Sequence, residues 1–425
     1  MSNGWSRAHR AAALLLTGAA LSAQAAGHAS EAPGAELAPL LEMAERNNPE
    51  LRGMGWEADA AKERVQPAGA LPDPMFAFEL RDIGVGNPSL NLSPSQVGST
   101  RYQVRQTFPL WGKRDLKESV AAAEAEGAGS RVRALRLDLR ARVKAAFAQY
   151  YAADRAWRIN EELGSVLAGL AEIARARYAT GLAPQQDAIR AQSERTMLAT
   201  ELAALEAERH HAIARLNVAL GRAAEAPLAP PKSLPALPAK AADPARLREN
   251  LVARNPQLAG AAAQIAAAAR NEELVAKNRY PDLTVGVAPI QAGTRFNNWD
   301  LMLEINIPFQ QESRRAQERE AAALRRAAEA RREAMANDLL GELGQSWMSF
   351  DAAIRQLSIL RDALLPQAQI TFESALASYQ NGKVDFATLL DAQRQIRRAR
   401  LDIVKAEAES RMRLADIERL MGEDL

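Results

Sequence analysis

Cysteine is absent from all 425 residues, and histidine is scarce at four. The first absence excludes disulfides, thiolate metal sites, a cysteine nucleophile and a lipid carried on an N-terminal cysteine. The histidines offer no metal site either. His9 and His28 lie near the N-terminus, while His210 and His211 are adjacent. Neighbours point to different faces of a helix, so they cannot chelate as an i,i+4 pair would. No phosphate-binding glycine loop occurs. No catalytic constellation can be assembled, so the chain does not read as an enzyme, and no cofactor or metal is expected. A net charge of +2 is too small to draw nucleic acid. Aromatic residues make up only 5%, while alanine is abundant, which suits long, closely packed helices better than a compact core.

A hydrophobic run long enough to cross a bilayer as a helix is also missing. The longest apolar stretch near the start, Ala11 to Leu21, follows Arg7 and Arg10 and precedes Ala23-Gln24-Ala25. That order is the pattern of an export signal, expected to span residues 1–25, with a second cleavage position ending at Ala29.

What is present comes twice. Asn48-Pro49-Glu50-Leu51 returns as Asn255-Pro256-Gln257-Leu258, and Leu71-Pro72-Asp73-Pro74 as Tyr280-Pro281-Asp282. Phe108-Pro109 returns as Ile307-Pro308, and Tyr178-Ala179-Thr180-Gly181 as Tyr379-Gln380-Asn381-Gly382. Each half reads in one order: short helix, two alternating strands, a very long helix, a glycine turn, a returning helix. A period of about 200 residues is far longer than that of solenoid repeats, so this is a duplicated half-domain. The expected division is 26–226 for the first repeat, 227–244 for a Pro-rich linker and 245–425 for the second.

The strands carry period-two patterning. Phe76, Phe78 and Leu80 alternate with Ala77, Glu79 and Arg81; Tyr102, Val104 and Phe108 lie opposite Arg101, Gln103 and Arg105. In the second half Leu283, Val285 and Val287 share one face. Trp299, Leu301, Leu303, Ile305 and Ile307 alternate with Asp300, Met302, Glu304 and Asn306. Gly84 to Ser99 and Gln291 to Asn298 read as hairpin loops. Two hairpins on a soluble core would not explain charges in mid-strand and aromatic rings near strand ends. An outer-membrane barrel would, with lipid outside and water within. Four strands cannot close, and an open edge is not viable in lipid. Two chains would supply about 8 strands, a barrel filled by its own side chains; three would supply about 12 and leave a lumen. A trimer with a pore is the expectation.

Between Pro109 and Arg177 there is no proline, and Leu139, Val143, Phe147, Tyr150, Trp157, Leu167, Leu170 and Ala174 recur at helical steps. Such a helix would run roughly 100 Å at about 1.5 Å per residue. Pro308 to Tyr379 is similar, with a kink expected at Pro366. The returning helices, Pro184 to Leu220 and Val384 to Met421, are about half as long. The mixed-sign run Glu312 to Glu333 reads as a solvated helix face.

The strand ending Gln106-Thr107-Phe108-Pro109-Leu110-Trp111-Gly112-Lys113-Arg114, the long helix, and Arg177-Tyr178-Ala179-Thr180-Gly181-Leu182 together resemble the outer membrane factor family, the TolC type. So does the second copy, Tyr379 to Phe386 with Leu390-Asp391-Ala392-Gln393. The resemblance spans essentially the whole mature chain. It implies a mixed, mostly α fold: a trimeric 12-stranded outer-membrane β-barrel, four strands per chain, continuing into a periplasmic α-helical barrel. It also implies service as the exit duct of a tripartite efflux pump or type I secretion system. By that resemblance the two glycine turns form the periplasmic tip. There Arg177, Gly181 and Leu182, with Gly382, dock on the hairpin of an adaptor, although glycine also simply caps helices. Asp187 and Asp391 fall at gate positions and Tyr379 at a linking tyrosine, with Asp385 a further candidate. An acidic residue early in a helix is equally favoured by the helix dipole. The position where a gate of this kind carries a basic residue holds Val384.

The expected function is therefore a passive outer-membrane duct, opened at its tip by a periplasmic adaptor and an inner-membrane resistance–nodulation–division pump that supplies the energy. The Leu71-Pro72-Asp73-Pro74 and Phe108 to Arg114 phrases look like those of ducts serving heavy-metal efflux. Multidrug efflux and secretion are the alternatives within the class. A soluble periplasmic coiled-coil adaptor is the rival outside it, one with no use for four strands.

Overall fold

The computed structural model describes residues 32–84, 92–238 and 243–424. The expected export signal, the middle of the first hairpin loop and residues 239–242 of the linker lie outside the described residues. The first half runs α1 (Leu37–Asn47), α2 (Pro49–Glu63), α3 (Val65–Gly69), β1 (Met75–Arg81), β2 (Ser99–Phe108), α4 (Lys113–Ala179) and α5 (Gln185–Ala219). The second runs α6 (Pro244–Arg254), α7 (Pro256–Lys277), β3 (Leu283–Ala292), β4 (Arg295–Ile305), α8 (Gln311–Ile359), α9 (Leu365–Gln380) and α10 (Phe386–Met421).

Each expected single short helix is thus two or three helices, broken where asparagine caps a new start. Asn48 and Asn255 are extended at the N-cap, each followed by a proline in the first turn. Proline fits there because its missing N–H needs no partner. The Asn48 side chain accepts from the Leu51 amide at 2.8 Å. Asn255 accepts from Gln257 at 2.8 Å and Leu258 at 3.2 Å, and its amide donates to the Leu420 carbonyl at 2.9 Å. The recurring Asn-Pro phrase has the same local task in both halves.

The four strands form one antiparallel sheet in the order β1-β2-β3-β4. Its register lines up Phe76 with Val104, Val104 with Val287, and Val287 with Leu301. The apolar parity read from the sequence therefore falls on one face. That face is uncovered: Phe76, Trp299 and Leu301 are 66%, 71% and 71% exposed. The opposite face is polar and internally paired. Arg101 pairs with Asp300 and lies 3.9 Å from Glu79, and the hydroxyls of Thr107 and Thr284 are 3.0 Å apart. Between β3 and β4 the loop is much tighter than expected. Gln291 pairs with Phe296 and Ala292 with Arg295, leaving Gly293-Thr294 to turn, with Gly293 at φ +64°. Strand pairing extends through polar residues whose composition reads as loop, because the ladder needs only backbone.

Strand gives way to helix over two consecutive left-handed residues, Trp111 (φ +67°) and Gly112 (φ +75°). The Trp111 indole donates to the Pro281 carbonyl at 3.0 Å and stacks 5.1 Å from Tyr280. Lys113, 5% exposed, donates to the Tyr280 carbonyl and to Asp282, both at 2.8 Å. These contacts fix where α4 leaves the sheet.

α4 runs 67 residues, about 100 Å. The second long path is not one helix. A π-helical turn, Leu360–Leu364, separates α8 from α9, and Pro366 stands in the first turn of α9. The widened turn accommodates a proline that would clash with the carbonyl four residues back. Core residues form separate clusters along the helices. One packs Leu40, Phe147, Tyr150 and Leu216; one packs Leu251, Leu258, Phe350 and Ile417; one near the glycine turns packs Leu167, Leu170, Phe386 and Leu389.

Asn255 holds a cap and an interhelical bond, whereas Asn48 holds only a cap. Asn255→Ala is expected to cost about 2–3 kcal/mol and Asn48→Ala about 1 kcal/mol. The apparent melting temperatures of the purified variants should fall in that order; equal shifts would contradict it.

Candidate gate and docking site at the helical tip

Two glycine turns end the long helices. At the first, the Gly181 amide donates to the Tyr178 carbonyl at 2.9 Å and the Leu182 amide to Arg177 at 2.8 Å. At the second, Gly382 donates to Tyr379 at 3.0 Å and Lys383 to Ser378 at 2.9 Å. This paired pattern is the Schellman ending, which needs a left-handed residue after the helix. Gly181 and Gly382 supply it, at φ +72° and +73°. Around Gly181 an added Cβ would meet nothing within 4 Å, so backbone conformation alone demands glycine there. Leu182 is 67% exposed at the apex.

The sequence-derived residues divide into two groups. Arg177, Asp187 and Tyr379 come together. Tyr379, buried in the tip cluster, donates its hydroxyl to Asp187 Oδ2 at 3.1 Å, and Asp187 is itself buried. The ring packs 5.3 Å from Phe386, and the Arg177 guanidinium lies over it, 5.0 Å from its centroid. Burial, then the hydrogen bond to Asp187 and that residue's charge, push the Tyr379 phenol up to about 12.

Asp385 and Asp391 stand apart from this group. Asp385 caps α10, accepting from the Thr388 hydroxyl at 2.6 Å and the Thr388 amide at 2.9 Å. Those two bonds hold its carboxyl below the usual range, so its contribution to the cap is present above pH 4 or so and lost on acidification. Asp391 is exposed and accepts from Arg394 at 3.0 Å. Val384 is half-buried against the tip cluster.

A seam joins the two hairpins beyond the turns. Asp187, Glu194 and Glu201 recur every seventh residue on α5, so they share a face. Asp187 meets Tyr379, Glu194 meets Arg394 and Glu201 meets Arg397. The sequence reading did not pick out Glu194, Glu201, Arg394 or Arg397. The heptad spacing of the acids was the available signal; their partners could not be read, because arginines crowd most of α10. A shallow cavity of about 480 Å³ opens between the helices, lined by Gln186, Ile189, Arg190, Ser193, Leu390 and Asp391 among others. No group of carboxylates and imidazoles that could hold a metal ion occurs among the described residues. Nor is any helix among them long and apolar enough to cross a membrane.

A family model described as outer membrane efflux protein matches residues 40–222 and again 247–423. The chain is 25% identical over 391 residues to the cobalt-zinc-cadmium resistance protein CzcC of Cupriavidus metallidurans, covering 91% of this chain and 90% of that one. Among solved structures, the outer-membrane channel OprN superposes with a TM-score of 0.76 at 22% identity, covering 91% of this chain and 89% of that one. The outer membrane protein VceC of Vibrio cholerae gives 0.75 at 18% identity, with 91% and 96% covered. At such identities the structural likeness shows the fold.

The raised Tyr379 phenol has a definite pH consequence. Its folded value exceeds the unfolded one of about 10, so the stability it lends is complete below pH 10 and lost as pH climbs through about 12. Near neutrality it does not titrate. Ultraviolet difference titration of wild type against Tyr379→Phe should show this tyrosine still mostly protonated at pH 10; a midpoint near pH 10 would contradict the buried bond.

Proposed function

The chain belongs to the outer membrane efflux protein family, and from that membership we propose that three copies form the exit duct of a tripartite efflux pump. An efflux channel of the outer membrane extending into the periplasm is what the family supplies. The finer reading rests first on the sheet. Its apolar face lies bare while its other face carries Glu79, Arg101, Arg105, Asp300 and Glu304. That division suits lipid on one side and water on the other. Within one chain β1 and β4 each have a free edge. Three chains closing about 12 strands would remove the edges and leave a lumen. Two groups of rings, Phe78, Tyr102, Phe296 and Trp299 toward the hairpin ends and Trp111 with Tyr280 at the helix junction, suit the two interfacial girdles of such a barrel. The matching Asn-Pro caps and glycine turns support a duplicated half-domain, 26–226 and 245–425, joined by the 227–244 linker, with residues 1–25 as the export signal.

The helices carry the duct into the periplasm, and the tip is its gate. Asp187 and Tyr379 hold the turns closed, and Asp391, exposed near them, contributes a carboxylate from each copy to a ring that attracts cations. Asp385 serves chiefly as a cap beside them. Leu182, with the Gly181 and Gly382 turns that present it, is the surface an adaptor hairpin engages. The adaptor couples the duct to an inner-membrane resistance–nodulation–division pump. Heavy-metal cations are the proposed cargo, supported by the likeness to CzcC along nearly the whole length. Multidrug efflux or type I secretion would use the same duct. A soluble periplasmic adaptor has no place for the sheet.

Growth of a deletion strain across copper, silver, zinc, cadmium, cobalt and common drugs tests cargo and docking together. Complementation by the wild-type chain should restore tolerance to metals selectively. Leu182→Glu should fail to restore it while forming normal amounts of outer-membrane trimer. Selective drug sensitivity would overturn the metal assignment, and full rescue by Leu182→Glu would overturn the docking assignment.

A further inference from the structure

Two helix C-termini meet at the tip, those of α4 and α9. Each carries unpaired carbonyls and a partial negative charge. One side chain serves both. Arg177, in the last turn of α4, donates from Nη1 to the Gln380 carbonyl at the end of α9. From Nη2 it donates to the Leu182 carbonyl at 3.1 Å, just beyond its own helix. Its guanidinium carbon sits over the Tyr379 ring. The space is tight: a Cβ added at Gly382 would lie 3.4 Å from Nη2. A docking residue with its donors turned to solvent would make none of these contacts.

We propose that Arg177 is the fastener of the closed tip, a positioning residue that ties the first glycine turn to the second and holds Tyr379 on Asp187. The proposal rests on the gate reading of Asp187 and Tyr379 and adds a cation to it. That cation comes from α4 of the same chain, not from the position of Val384. The contacts to Gln380 and Tyr379 cross to the second hairpin, so they exist only while the turns lie side by side, and the bond to Leu182 steadies the guanidinium from its own turn. Separating the turns must first withdraw the guanidinium. A partner that engages Leu182 would pull on a residue whose carbonyl Arg177 holds, which links docking to release. Arginine is needed for its planar fork and its stacking face; lysine keeps the charge but cannot make two directed bonds and cover a ring together.

Conductance of purified trimers in planar bilayers, with no adaptor or pump present, separates fastening from docking. Wild type, Arg177→Ala, Arg177→Lys and Asp187→Ala are compared at fixed salt, each checked for intact trimers. Arg177→Ala is expected to raise closed-state conductance severalfold, and Arg177→Lys to raise it nearly as much. Should Arg177→Ala fail to assemble, the charge-conserving lysine variant carries the test. Raised conductance in Asp187→Ala with wild-type values in both Arg177 variants would overturn the fastener and leave the gate standing. Wild-type values in all three variants would overturn the gate reading itself. Lost efflux in cells with unchanged conductance in the Arg177 variants would make Arg177 a docking residue only and overturn the proposal.

Discussion

Everything in this chain depends on a sheet that cannot stand alone. Four strands in the order β1 to β4 leave two edges of unpaired backbone and an apolar face open to its surroundings. In water that face would associate indiscriminately, and in lipid the bare edges would cost several kcal/mol for each unsatisfied group. On the proposed reading, closure by other copies pairs the edges and lipid covers the apolar face. If so, the oligomer is a condition of the fold in the membrane and would brace a chain that has no cysteine.

The helical part inherits its geometry from that sheet. Trp111 and Gly112 adopt left-handed conformations so that β2 can turn into α4, and buried Lys113, paired with half-buried Asp282, locks the turn against the entrance of β3. From there a rigid helix of 67 residues carries any constraint at the sheet to the glycine turns about 100 Å away. The second path is interrupted by the π-helical turn before Pro366. One hairpin is thus built on a continuous helix and the other on a jointed one. At the tip the two hairpins share an apolar cluster, Leu167 and Leu170 against Phe386 and Leu389, and polar links beside it: Arg177, Tyr379 with Asp187, and the acid–arginine seam on α5 and α10. The polar links regain water when they part, whereas the apolar cluster they flank resists a wide separation of the hairpins.

Sequence periodicity made the architecture legible. Period two assigned each sheet residue to its face, because a strand has only two sides, and the pairing register kept the assignments within the paired strands, with Asn306 and Ile307 falling beyond the end of β4. The glycine turns were readable because left-handed backbone after a helix favours one residue type. The Asn-Pro caps were visible as a repeated phrase. Less was legible where partners lie far apart in the chain. Glu194 and Arg394 are about 200 positions apart, and nothing local marks the pair. The inward turn of Arg177 was hidden because its acceptors, distant Gln380 and nearby Leu182, are backbone carbonyls with no side-chain signature. Asp385 looked like a gate carboxylate by position, yet its oxygen is spent on Thr388. The Gly293-Thr294 turn was overestimated as a loop because polar residues pair in a ladder as readily as apolar ones.

The central claim is closure of the sheet by copies of the same chain, and the absence of native cysteine makes it directly measurable. Phe78→Cys on β1 and Leu303→Cys on β4 place one thiol on each free edge. Treatment of isolated outer membranes with a short bis-maleimide, followed by denaturing electrophoresis, counts the copies in the ring. The account predicts covalent dimers and trimers and nothing larger, with neither single variant advancing beyond a dimer. Monomers alone after efficient thiol labelling, or a ladder continuing past three, would contradict it.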